Sequence, residues 1–161
     1  MAQLVIFDKD GVILDLEATW LPVARAVAAH TATLIPDLVG VMPEVTTADL
    51  LRAIGVDDQR SYIDPKGIFA TGSFAQMRAK WQAMLPPQLI DLEHDQAYRD
   101  AVQTIVYEQT RQTTKAKGDV VTPLHALYQD GYQLALVTND SESSARQSLD
   151  DLGIADLFCA I

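Results

Sequence analysis

The sequence predicts an α/β fold: a parallel-sheet core interrupted by a helical insertion. Three observations carry this reading. Leu4-Val5-Ile6-Phe7 and Leu134-Ala135-Leu136-Val137 are continuous apolar runs, the pattern of strands buried on both faces. Each run stops at polar residues, Asp8 and Asp10 before Gly11 in one case and Thr138-Asn139 in the other. The intervening stretch of about 100 residues reads as successive helices and is too long for a plain crossover between parallel strands.

Composition narrows the class. The chain has 161 residues, 48% of them hydrophobic, and a net charge of −10. That charge argues against nucleic acid or an anionic membrane as partner, since both need a basic face. A phosphorylated small molecule stays open, because a bound cation can invert the local field. Cys159 is the only cysteine, so no internal disulfide or thiolate cluster can form, which fits a cytoplasmic location. No secretory signal and no apolar run of membrane-spanning length is recognisable.

Taken in order, residues 3–7 form the first strand, expected to be buried. Gly11 lets the chain turn sharply, and Val12-Ile13-Leu14 form a small flap before Asp15. Trp20 to Leu34 has helical spacing, with Pro22 suited to a first turn. Val45 to Ile54 is a second helix, capped by Thr46 or Thr47 and stopped at Gly55. Asp57 to Gly72 is rich in turn formers. Phe74 to Leu85 is helical up to Pro86-Pro87, and Asp95 to Thr113 is a long helix. Thr114 to Gly118 reads as a linker. Thr122-Pro123 then opens a helix as N-cap and first residue, ended by Gly131. After the second strand a helix runs from Ser141 to Leu152 and stops at Gly153. Phe158 to Ile161 starts a third strand.

The polar strand ends supply the chemistry. Residues two apart on an extended chain share a side, so Asp8 and Asp10 fall together at a strand's C-terminal end. In open α/β sheets that is the ligand-binding edge. Adjacent parallel strands would bring Thr138 and Asn139 beside them. The helix after Ser141 would aim backbone N–H groups at the same place. Carboxylates, a hydroxyl and a helix N-terminus suit a phosphate together with Mg²⁺.

Phe7-Asp8-Lys9-Asp10-Gly11-Val12 resembles motif I of the haloacid dehalogenase (HAD) superfamily, and Leu136-Val137-Thr138-Asn139-Asp140 resembles its motif II. The insertion between them is similar to the helical C1 cap, most like phosphoglycolate-phosphatase-like members. The resemblance covers the whole chain. It implies a Rossmann-like core over 1–16 and 117–161 and a helical cap over 17–116. It implies Asp8 as the nucleophile that forms an aspartyl-phosphate and Asp10 as general acid and base. Mg²⁺ would be held by the Asp8 carboxylate and the Asp10 carbonyl. Thr138, with the Asn139 backbone, would hold a phosphoryl oxygen. An acid at Asp10 favours phosphoryl transfer over carbon–halogen cleavage. Within the cap, Thr71-Gly72-Ser73 is a candidate substrate loop, because a glycine turn can free backbone N–H groups for an anion.

One departure stands out. The family's pattern continues after motif II with a lysine and then an acidic motif that completes the Mg²⁺ site; the sequence stops at Ile161, and Lys115 and Lys117 precede motif II. The core is therefore expected to be C-terminally truncated, the chain to be weakly active or inactive, and residues 4–7 to form an exposed edge open to self-association.

Of the remaining residues, Lys9 reads as a charge at a variable position. Arg52, Lys66, Arg78 and Lys80 read as surface charges. His30, His94 and His125 lack metal spacing. Cys159 is expected to be a small buried hydrophobe, and Trp20 and Trp81 to pack in a core or at the cap interface. The expected function is Mg²⁺-dependent hydrolysis of a small phosphate monoester, phosphoglycolate-like by resemblance. The alternatives are a phosphomutase of the same superfamily and a non-catalytic binding or assembly module.

Overall fold

The computed structural model describes residues 3–35, 45–85 and 91–161. The chain divides into two compact units, one of residues 1–19 and 110–161 and the other of residues 20–109.

The first unit is built on a three-stranded parallel sheet of order β1-β4-β5, with β1 at Leu4–Asp8, β4 at Gln133–Val137 and β5 at Phe158–Ala160. β1 and β4 pair in register from Leu4↔Gln133 to Asp8↔Val137. The register sets Val5 beside Leu134 and Phe7 beside Leu136, on one face. That face packs on a core of Ile13, Leu14, Leu124, Ala145, Leu149 and Ile154. Leu124 belongs to helix α6, Val121–Gln129, and Ala145 and Leu149 to α7, Glu142–Asp151.

β4 is buried at Leu134, Ala135 and Leu136, as its apolar run implies. β1 departs from the expectation of full burial. Leu4 and Ile6 are 54% and 59% exposed. The reason is topological: β1 pairs only with β4 among the described strands, so its outer face lacks the cover a central strand receives.

Helix starts also differ from the sequence reading. The first helix, α1, spans Leu16–Thr33, so Pro22 lies inside it rather than in its first turn. The Asp15 carboxylate accepts the Ala18 N–H at 2.8 Å and nucleates the helix earlier. Helix α6 begins at Val121 because Asp119, not Thr122, supplies the capping oxygen, at 3.2 Å from the Thr122 amide. Pro123 still falls in the first turn, where a missing N–H costs nothing.

The second unit contains α2 (Thr47–Ala53), a short hairpin of β2 (Val56–Asp57) and β3 (Tyr62–Ile63), α3 (Ile68–Thr71), α4 (Phe74–Gln82) and most of α5 (Gln96–Thr113). The hairpin and α3 lie within the stretch read as turns. Thr46 caps α2 through a reciprocal box with Asp49; the Thr46 hydroxyl and amide hold the Asp49 carboxyl below its usual range. Gly55 ends the element at φ +88°, a conformation glycine adopts without strain. Trp81 is 1% exposed, and its indole N–H donates to the Leu50 carbonyl at 2.9 Å. That carbonyl sits near the C-terminal end of α2, where intrahelical donors run out. The proline pair at 86–87, expected to stop α4, lies outside the described residues.

Gly72 joins α3 to α4 for a steric reason. A Cβ there would stand 2.7 Å from the Ile68 carbonyl oxygen and 2.9 Å from Gln76 Oε1. Ser73 caps α4 and forms its own box with Gln76.

Two stability effects are expected. Trp81→Phe keeps the ring but strands the Leu50 acceptor, and should cost about 1–3 kcal/mol in urea denaturation. Gly72→Ala pushes a methyl against backbone that cannot yield cheaply, and should cost about 1–3 kcal/mol in the same measurement.

Candidate active site

β1 and β4 run the same way and in register, so their C-terminal ends lie side by side. Asp8 pairs with Val137, which puts Thr138 and Asn139 one and two residues past the partner of Asp8. The structure thus brings Asp8, Asp10, Thr138 and Asn139 to one sheet edge within one unit. Asp8 and Asn139 are exposed; Asp10 and Thr138 are half-buried.

The loop after Asp8 is held by its own backbone. The Lys9 carbonyl accepts from both Ile13 and Leu14 at 2.9 Å, and Gly11 N–H donates to the Leu14 carbonyl at 2.8 Å. Gly11 takes φ +85° in this turn. Ile13 and Leu14, 1% and 0% exposed, anchor the flap in the core. The Lys117 ammonium donates to the Gly11 carbonyl, and Lys117 N–H to the Ile13 carbonyl at 2.8 Å. The segment read as a linker therefore braces the Asp8–Asp10 loop from behind.

Thr138 is oriented by its neighbour. Its hydroxyl oxygen accepts the Asp140 N–H at 3.2 Å, which leaves the hydroxyl proton to donate elsewhere. Asp140 Oδ1 accepts the Ser141 N–H at 2.7 Å, and the Ser141 hydroxyl accepts the Ser144 N–H at 3.3 Å. The start of α7 thus spends these two amides on its own cap rather than offering all of them to an anion.

Lys9 is the residue the sequence reading placed wrongly. It is 0% exposed, not a variable surface charge. Its ammonium lies 2.5 Å from Asp140 Oδ2 and 3.4 Å from Asp10 Oδ2. The apolar strand before it gave no hint of this. The one available signal was an acidic residue in each of the two motif loops, Asp10 and Asp140, which a cation between the loops could serve.

Thr71, Gly72 and Ser73 belong to the other unit. The reason given for them, free amides at a glycine turn, does not hold. Thr71 N–H donates to Gly67, Gly72 N–H to Ile68, and Ser73 N–H to Gln76 Oε1. Helix α3 and the α4 cap consume all three donors. Cys159 is exposed, contrary to the expected burial, because it lies on β5 next to the end of the chain. Arg52 is exposed and pairs with Asp49 as a surface charge at 2.9 Å, and Trp20 and Trp81 are buried in the second unit.

The donor set is consistent with magnesium in its chemistry. Asp8 and Asp10 offer hard oxygen ligands, and Mg²⁺ takes only one or two carboxylates when water and phosphate fill the rest. Among the described residues no group of three or more His, Cys, Asp or Glu side chains forms a fuller metal cluster. No described helix is long and apolar enough to cross a membrane.

Comparison with known proteins agrees with this layout. A search of curated proteins finds no match. Among solved structures, a Thermotoga maritima protein assigned as a beta-phosphoglucomutase matches at TM-score 0.59 and 19% identity, over 98% of this chain and 59% of that one. A Haemophilus somnus protein predicted to be a phosphoglycolate phosphatase matches at TM-score 0.56 and 18% identity, over 99% and 61%. The Bacillus subtilis HAD-hydrolase YfnB, solved bound to magnesium, matches at TM-score 0.50 and 16% identity, over 99% and 62%. The chain thus spans about three-fifths of the length of the solved structures it resembles, and at these identities the likeness is one of fold. The model of the haloacid dehalogenase-like hydrolases matches residues 2–161, and the chain belongs to that family.

Proposed function

We propose that the protein of which this chain is part or whole hydrolyses a small phosphate monoester through Asp8. The observation that carries this is the in-register pairing of β1 with β4, which sets two carboxylates beside a threonine hydroxyl. Membership of a hydrolase family supports it.

In this reading the exposed Asp8 carboxylate attacks phosphorus, and the leaving alkoxide departs with a proton from Asp10. Asp10 then takes a proton from water as that water attacks the aspartyl-phosphate, which restores Asp8. Thr138 donates its hydroxyl proton to a phosphoryl oxygen, and Asn139 lies beside it. Asp8 and the Asp10 carbonyl would hold Mg²⁺, whose charge offsets the negative charge of the phosphoryl group. Catalysis of this kind rests on positioning and charge neutralisation, and both come from rigid strand ends. The unit of residues 20–109 serves as a cap in this reading. The phosphoglycolate-like substrate rests on family resemblance alone.

Asp8→Asn should cut turnover of 4-nitrophenyl phosphate by on the order of 10⁴-fold or more. Activity that survives this change would sink the mechanism. Added Mg²⁺ should stabilise the wild type by about 2.7 kcal/mol at a hundred times its Kd. Asp8→Asn should lose most of that gain in thermal melting, and a chelator should abolish it. Products formed with sugar phosphates present separate hydrolysis from transfer to a sugar.

A further inference from the structure

We infer that Lys9 is a positioning residue that ties the loop after β1 to the loop after β4 and so sets the Thr138 hydroxyl. The inference deepens the phosphatase reading and rests on it for its catalytic consequence.

The argument starts from burial. A fully buried ammonium is costly unless it is paired and hydrogen-bonded. Lys9 is 0% exposed, and its partners are Asp140 at 2.5 Å and Asp10 at 3.4 Å. Lys9 and Asp140 stand 131 residues apart in sequence, so this contact joins two loops that backbone continuity does not. The sheet ladder stops short of it: the pairing of β1 with β4 runs only to Asp8↔Val137. Beyond that pair, Lys9–Asp140 is a bond from one loop to the other.

The link then passes to Thr138 in two steps. Lys9 holds Asp140 through Oδ2, and Asp140 holds Ser141 through Oδ1. The Asp140 N–H occupies a lone pair of the Thr138 hydroxyl. With that lone pair taken, the hydroxyl proton points away from Asp140. Moving the Asp140 carboxylate would therefore move the donor that meets a phosphoryl oxygen. Small displacements of this kind cost about 10²-fold in rate. Lys9 touches neither the proposed substrate nor the attacking oxygen; it acts through Asp140.

A charge pair that only filled space would behave differently, and the test is built on that difference. Lys9→Met leaves the Asp140 carboxylate unpaired and should lower the melting temperature by on the order of 10 °C. The amides of Asp140 and Ser141 should exchange hydrogen roughly tenfold faster, while the β1–β4 ladder keeps its protection. With 4-nitrophenyl phosphate and Mg²⁺, kcat/KM should fall by about 10- to 100-fold.

The double variant Lys9→Met with Asp140→Asn removes both charges and keeps an acceptor for Ser141 N–H. Its melting temperature should return close to wild type, while fast loop exchange and low kcat/KM persist. It also carries the test should the single variant fail to fold. Recovery of exchange and activity together with melting would overturn the inference, as would wild-type loop exchange in both variants. A wild type that hydrolyses no phosphate monoester refutes the phosphatase reading. Loop exchange in the variants then still decides on Lys9.

Discussion

The site depends on one constraint, the parallel in-register pairing of β1 with β4. Five residue pairs, Leu4↔Gln133 through Asp8↔Val137, fix where two distant pieces of chain end. Because the strands run the same way, both finish at one edge of the sheet. Because they are in register, they finish at one level. A one-residue slip would turn Asp8 to the opposite side relative to Val137 and move Val5 and Phe7 off the core face. The apolar contacts of Val5, Phe7, Leu134 and Leu136 thus enforce the geometry of residues that make no apolar contact themselves.

Much of this was legible in the sequence. The two apolar runs identified the strands, and the polar residues after them identified the sheet edge. Helix positions followed from spacing, since apolar faces are long-range regularities that survive local detail. The starts of α1 and α6 were less legible. In each, an aspartate just upstream took the capping role, and the reading had favoured a threonine or a proline. Caps are decided by one hydrogen bond, and several residues within reach can make it.

What sequence could not supply was the partner of each polar group. Gly72 looks like a loop that could free amides, yet two short helices meeting there use all three. Lys9 looks like a surface charge between two acids, yet its side chain runs inward to Asp140. Both errors have the same physical origin. Hydrogen-bonding capacity can be read from residue type, but how it is spent depends on residues far along the chain. The exposure of Leu4 and Ile6 is the complementary case: the apolar run signals a buried strand, and only the sheet order reveals that one face of it is bare.

That sheet order carries a consequence for how the chain acquires its structure. β1 is the first element synthesised, and its partner β4 follows the entire second unit. At 5–20 residues per second, β1 waits on the order of ten seconds before β4 leaves the ribosome. Throughout that interval Leu4, Val5, Ile6 and Phe7 form an unpaired apolar strand. The helices of the second unit close short loops and can form meanwhile, whereas the sheet is the last element able to assemble. The strand that carries Asp8 is thus the segment most open to chaperone capture, or to pairing with the wrong chain, during synthesis.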